Sequence, residues 1–316
     1  MSTLRYDPAH RPGPARTGRS RRRLPGAWPR PVEGAAGMAW RLEREPGSFL
    51  SVVVPARNEA VSLPQLVDEL ARALRPLRDG GGPRPLSGFE IVVVDDGSTD
   101  RTPEVLSALA PDYPELRALV LAAGVGQSSA TVAGIRAARG DWIATLDADL
   151  QNDPADLVRL WEALPGHDAA LGWRVDRRDP WSKRVLSRWA NRVRNAVLGQ
   201  SIRDTGCSVR IFPREVAMRL PAFRGVHRFL GPLLLREGCR LVQVPVGHRP
   251  RPHGRSHYNL WNRSLQVVVD LIGVAWLLSR PLEYRVVQAW DAPDAAGAAF
   301  AGAAGTGVHA RHVAED

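Results

Sequence analysis

Carboxylates recur in this sequence where short apolar runs stop. Leu50–Pro55 leads into Ala56-Arg57-Asn58-Glu59, Glu90–Val94 into Asp95-Asp96-Gly97-Ser98-Thr99-Asp100, and Trp142–Leu146 into Asp147-Ala148-Asp149-Leu150-Gln151-Asn152-Asp153. Acids crowded on one edge raise one another's pKa unless donors or a cation hold them. A hard divalent ion, Mg²⁺ or Mn²⁺, accounts for the grouping, because it takes one or two protein carboxylates and leaves its other positions to water and substrate phosphate. Asx-turns and helix caps account for Asp100, Asp153 and one of Asp95 or Asp96. They do not account for Asp147 and Asp149 together, since Asp147 follows an apolar strand, where an unpaired charge is costly.

The elements that must carry these residues alternate strand and helix. Continuous β-branched runs at 50–55 and 90–94, continued at Ala118–Leu121, Trp142–Leu146 and Ala169–Gly172, suit strands buried on both faces of a parallel sheet. Ser62-Leu63-Pro64-Gln65 has the form of a capping box ahead of Leu66, Val67, Leu70 and Leu74, and Thr102-Pro103 and Asp153-Pro154 each place a capping residue before a proline. The predicted fold is α/β, a doubly wound and mostly parallel sheet with flanking helices, in which ligands bind at the carboxyl ends of the strands.

Composition narrows the partners. The chain has 316 residues, 44% of them hydrophobic, with a net charge of +10 that points to anionic ligands or an anionic membrane surface. Lys183 is the only lysine, so the charge is almost entirely guanidinium, the better bidentate ligand of phosphate. Two cysteines, Cys207 and Cys239, form neither a four-thiolate zinc site nor a disulfide framework. The N-terminus shows no apolar core like that of a signal peptide, and a cytoplasmic catalytic face is the expectation. Residues 1–46 read as a disordered basic arm, 47–259 as the catalytic domain, 260–290 as an amphipathic membrane-associating segment and 291–316 as a disordered Ala/Gly-rich tail. Within the third, Ser264–Ser279 is too short to span a bilayer and reads as an interfacial helix, with packing on the domain as the alternative.

The order Pro-x-x-Asn-Glu, Val-Asp-Asp-Gly-Ser-x-Asp and Asp-Ala-Asp-Leu-Gln resembles family 2 glycosyltransferases of the GT-A fold, in particular the dolichol-phosphate mannosyltransferases and bacterial polyprenyl-phosphate glycosyltransferases. The resemblance runs from about Ser48 to about Arg280. It implies a hexosyltransferase that moves a sugar from GDP-mannose or a UDP-hexose to a polyprenyl phosphate, peripherally attached to the inner face of the cytoplasmic membrane. Pro55, Arg57, Glu59, Val94, Asp96 and Ala148 would then bind the donor. Asp149 and Gln151 would ligate Mg²⁺ or Mn²⁺, with Asp147 on the sugar or a metal-bound water, and Arg174 would contact the donor phosphates or sugar.

The segment His248–Tyr258 is similar to the family's Arg-x-x-Gly-x-Ser-Lys loop over the donor diphosphate, which assigns Arg251 to the phosphates. His257 stands where the family has lysine, and it would make phosphate binding sensitive to pH. Within a helix expected over residues 182–198, Lys183, Arg184 and Arg188 are the candidates for the acceptor phosphate. The alternatives are a family 2 enzyme with a saccharide acceptor in cell-envelope polysaccharide synthesis and a nucleic-acid-binding module. The second is disfavoured because the arginines accompany strand-end acids rather than aromatic stacking platforms.

Overall fold

A computed structural model of the chain describes residues 49–175, 192–198, 201–250 and 260–280, the last of these with side chains from 269. Seven strands form one sheet in the order β3-β2-β1-β4-β6-β5-β7. They are β1 (Phe49–Ala56), β2 (Gly88–Asp95), β3 (Leu116–Val120), β4 (Trp142–Thr145), β5 (Ala169–Arg174), β6 (Arg210–Pro213) and β7 (Leu241–Val246). The helices are α1 (Leu63–Arg78), α2 (Thr102–Leu109), α3 (Gln127–Ala137), α4 (Ala155–Glu162), α5 (192–198), α6 (Arg214–Arg219), α7 (Leu230–Arg236) and α8 (Leu260–Leu278).

Alternation along β1 shows why the sheet is covered twice. Val52 and Val54 join a core with Leu66, Leu70 and Leu74 of α1 and Leu157, Leu160 and Trp161 of α4. Val53 faces a second core, with Ile135 of α3, Leu233 of α7 and Val274 of α8. Helix α3 lies close on the sheet because residue 134 is glycine; a Cβ there would come within 2.4 Å of Val53 Cγ1. The doubly wound prediction holds.

Strands β6 and β7 were not expected from the sequence. Strand β6 is only four residues long, and it enters antiparallel between β4 and β5, pairing Arg210 with Thr145 and with Leu171. Its reversed direction brings its first residue, Arg210, to the edge where the parallel strands end. Two helix starts also differ from expectation. Ser62 makes no side-chain cap bond to the first turn of α1; its hydroxyl donates to Glu59 instead, at 2.6 Å. Thr102 is already helical, and Asp100 caps it by accepting from its N–H at 3.0 Å. Asp153 behaves as expected, accepting from Ala155 N–H at 3.0 Å.

Helix α8 packs on the domain along one side, the alternative reading of the 264–279 segment. Val274 and Leu278 are buried in the second core, whereas Val269, Ile272 and Trp276 are exposed on the other side. Among the described residues no helix is long and apolar enough to cross a membrane.

Candidate active site

The turn after β4 is built under strain. Leu150 has φ +61°, a left-handed conformation that costs a non-glycine residue about 1–2 kcal/mol, and it is held there by burial, at 2% exposure. The twist sets Asp147 and Asp149 on one short turn, both half-buried. Asp149 Oδ1 accepts from Gln151 N–H at 3.2 Å, and Asp147 Oδ1 accepts from Gln127 Nε2, at the start of α3, at 2.8 Å. Burial, and then the neighbouring charge of Asp149, push the Asp147 carboxyl above the usual carboxylate range. A hydrogen bond from Ser208 and the charges of Arg210 and Arg174 oppose that rise.

Behind the acids stand two arginines. Arg174, at the end of β5, grips Asp204 through Nε (2.7 Å) and Nη2 (3.0 Å). Burial alone would lower its guanidinium, but those hydrogen bonds and the Asp204 charge hold it above its ordinary value. Arg210 is buried and lowered by desolvation despite the nearby charges of Asp147 and Asp204. Its donors go to the carbonyls of His227 (2.9 Å) and Thr205 (3.1 Å). Cys207 is buried, and desolvation pushes its thiol up to about 11, which makes it an inert neighbour.

The first two strand ends lace each other. Asn58, at φ +55°, donates its N–H to Ser98 Oγ and accepts from Thr99 N–H through Oδ1, both at 2.8 Å. Glu59 N–H donates to Thr102 Oγ1 at 3.0 Å, and Ala60 N–H to Asp100 Oδ2 at 3.2 Å. Asp96 accepts from the N–H groups of Val125 (2.8 Å) and Gly126 (2.9 Å). Two amides of the glycine turn before α3, a phosphate cradle in form, are thus occupied by the protein's own carboxylate. Arg57 lies over that turn, 3.9 Å from Asp96, and a Cβ on Gly124 would meet its guanidinium at 2.6 Å.

Of the expected donor contacts, Pro55 lies near the end of β1, and Arg57, Glu59 and Asp96 lie on the carboxyl-edge loops. Val94 is fully buried against α3 in the core, and Ala148 is buried beneath the acidic turn. Arg251, His257, Lys183, Arg184 and Arg188 lie outside the described residues, as do the arm over 1–46 and the tail over 291–316.

The sequence did not reveal Arg249. Its N–H donates to Gln151 O at 2.7 Å, and its guanidinium spans Glu69 (2.8 Å) and Asp153 (2.6 Å). Gly247 N–H adds a bond to Asp156 at 3.0 Å. The strand leading to residues 251–259 is thereby tied to the acidic turn. The bond to Asp153 spans 96 residues and the one to Glu69 spans 180, beyond the reach of any local pattern.

Among the described residues no three His, Cys, Asp or Glu side chains group as ligands of a metal ion. The donor set nevertheless fits a hard cation. Two carboxylates share one turn, the charge of one raises the proton affinity of the other, and an amide follows two residues on. An ion that fills its remaining positions with water and phosphate needs no third acid.

Residues 51–220 match the family model described as Glycosyl transferase family 2. The chain belongs to this family. A relative from Pseudomonas paraeruginosa, named undecaprenyl-phosphate 4-deoxy-4-formamido-L-arabinose transferase, is 37% identical over 72% of this chain. The chain spans 65% of that relative's length. Among solved structures, a mannosyltransferase from Pyrobaculum calidifontis in complex with GDP-Man and Mn²⁺ aligns with TM-score 0.54 and 23% identity, over 73% of this chain and 65% of its own. Glucosyl-3-phosphoglycerate synthase from Mycobacterium tuberculosis, with Mn²⁺, UDP-glucose and phosphoglyceric acid, aligns with TM-score 0.55 and 22% identity, over 79% and 86%. At that identity the two structures speak to the fold, which is the expected GT-A arrangement of a mostly parallel sheet between helices.

Proposed function

We propose that this chain transfers a sugar from a nucleotide donor to a polyprenyl phosphate. The observation that carries the reading is the strained turn with Asp147 and Asp149 at the carboxyl edge, backed by Arg174 and Arg210. The relatives named for transfer to undecaprenyl phosphate support the acceptor. They are named for a modified arabinose, so the hexose inferred from family resemblance has no support in those names.

In this reading Mg²⁺ or Mn²⁺, held by Asp149, Gln151 and Asp147, supplies Lewis-acid neutralisation of the diphosphate. Gln127 and Ser208 keep the Asp147 carboxylate oriented. Arg174, preset by Asp204, contributes positive charge where two anionic reactants meet. An acceptor phosphate oxygen attacks the anomeric carbon as the bond to the diphosphate oxygen breaks. The electron pair leaves with the nucleoside diphosphate, and the anomeric configuration inverts. A phosphate already carries negative charge at neutral pH, with its second pKa at about 6, so the step needs no carboxylate base.

We read residues 47–259 as the catalytic domain and 260–290 as the segment that meets the membrane. The exposed Val269, Ile272 and Trp276 and the Arg280 guanidinium 5.3 Å over the Trp276 ring support that assignment.

The test is a transfer assay with Mn²⁺ or Mg²⁺, undecaprenyl phosphate, and GDP-mannose, UDP-hexoses and a nucleotide-linked arabinose derivative as donors. Metal-dependent product that disappears in Asp149→Ala is the expected result. Transfer at full rate in a chelator, or only to a free saccharide, would overturn the reading.

A further inference from the structure

Helix α8 reaches Gln127 and Arg210, beside the acidic turn, through residues to which the proposed mechanism gives no role. Asp270 Oδ2 lies 3.6 Å from Arg228 Nη1. It also presses against Gly225, where a Cβ would come within 2.6 Å of it and where φ is +102°. Gly225 immediately precedes a 3₁₀ turn, Val226–Arg228. On the far side of that turn, Gly225 N–H donates to Ser128 Oγ at 2.8 Å, and Ser128 Oγ lies 2.7 Å from His227 Nδ1. Ser128 follows Gln127 in the first turn of α3, and Gln127 holds Asp147. A second route runs through Arg210, which donates to the His227 carbonyl and whose charge bears on Asp147.

A helix that only packed would place an apolar residue at 270, because a carboxylate there must be desolvated. Asp270 is flanked by buried Val274 and Leu278 on its own face of α8, while Val269, Ile272 and Trp276 point the other way. The cost is coherent if the acid is there to grip the 3₁₀ turn.

We propose that the segment Gly225–Arg228 is a positioning bridge, in which Asp270 and His227 seat the start of α3, and with it Gln127, against Asp147. The seating of α8 then sets the rate of sugar transfer. This rests on the transferase reading above and adds to it a coupling between the helix assigned to the membrane and the catalytic carboxylate.

The full chain is assayed for transfer to undecaprenyl phosphate, and amide hydrogen exchange is followed over residues 124–131. His227→Ala and Asp270→Asn are expected to lower kcat roughly tenfold with donor KM nearly unchanged. The double variant should be no slower than the worse single, because the two act in series. His227→Asn, which can keep a polar atom near the Nδ1 position, should recover most of the rate. Exchange over 124–131 should quicken in Asp270→Asn and in Asp270→Leu, but not in Val269→Ser on the outward face. Unchanged kcat in both singles, additive losses, failure of His227→Asn to recover, or unchanged exchange would each overturn the bridge. A wild-type chain inactive on every donor would sink the transferase reading, while the exchange measurement would still decide the bridge.

Discussion

Glu90 and Asp147 are carboxylates at opposite edges of one sheet, one near the start of β2 and the other just past the end of β4, and their surroundings differ in kind. Glu90 is supplied with donors on every side: Ser51 Oγ at 2.7 Å, Arg117 Nη1 at 2.8 Å and Arg139 N–H at 2.7 Å. Ser51 Oγ is itself supported by Gly140 N–H at 2.8 Å. Burial would raise the Glu90 carboxyl, yet these partners hold it below its usual range. Asp147 is driven the opposite way, by burial and by a second acid two residues on. The amino edge satisfies its charge internally and stabilises the fold. The carboxyl edge sets two acids on one turn, whose shared negative charge a divalent cation would offset, and a fully satisfied network like that of Glu90 is what enzymes give up at their sites.

The largest expected effects fall on activity. Asp147→Asn and Asp149→Asn should each reduce kcat/KM by roughly 10²–10³, the scale of losing one preorganised electrostatic contact in a site. Neither should lower the melting temperature, because neutralising one acid relieves the repulsion between them. A clear loss of stability in Asp147→Asn would break the comparison, since Asp147 would then belong with Glu90 as a structural acid.

Glu90→Gln should show the reverse pattern. Leaving Arg117 without its carboxylate should cost about 2–3 kcal/mol in urea unfolding, with donor affinity untouched. The acid limb carries the same contrast. Glu90 has a depressed folded pKa, so its contribution is present above the ordinary value of 4.5 and is lost as pH falls through the lower folded value. Asp147 has a raised folded pKa, so the folded state keeps its proton longer than the unfolded chain does. Its contribution therefore falls as pH rises above 3.8 towards the higher folded value. Unfolding free energies measured between pH 3 and 7 should flatten below about 4.5 in Glu90→Gln. They should lose a downward component above about 3.8 in Asp147→Asn.

The carboxyl-edge half of this contrast was legible in the sequence, and the reason is local. The acidic ends at 95–100 and 147–153 directly follow runs so apolar that only strands buried on both faces explain them, and the edge they share follows from parallel topology. Strand β6 escaped because four residues, Arg-Ile-Phe-Pro, carry no period, and its place depends on β4 and β5 as partners. Strand β7, Leu-Val-Gln-Val-Pro-Val, is diluted by Gln243 and Pro245. Asp96 reads as a ligand contact from its motif, yet it also clamps the turn before α3. Arg249, Gln127 and Ser208 act across long separations, so the supporting contacts of the site appear only once the chain is folded.

The smallest effect separates the two left-handed residues of the site, Asn58 and Leu150. Leu150 is held by burial, so glycine there would relieve φ but leave a cavity. Asn58 is exposed and held by polar bonds to Ser98 and Thr99. Asn58→Ala keeps the unfavourable φ and loses the Thr99 bond, and should cost about 1–2 kcal/mol. Asn58→Gly loses the same bond but removes the backbone strain, so its cost should stay below about 1 kcal/mol. Unfolding of the two variants side by side measures the strain as their difference. Equal costs would mean that residue 58 carries no backbone strain. The link between the two loops would then rest on the hydrogen bonds alone, from Thr99 to the Asn58 side chain and from the Asn58, Glu59 and Ala60 amides, and only Leu150 would mark strain at this edge.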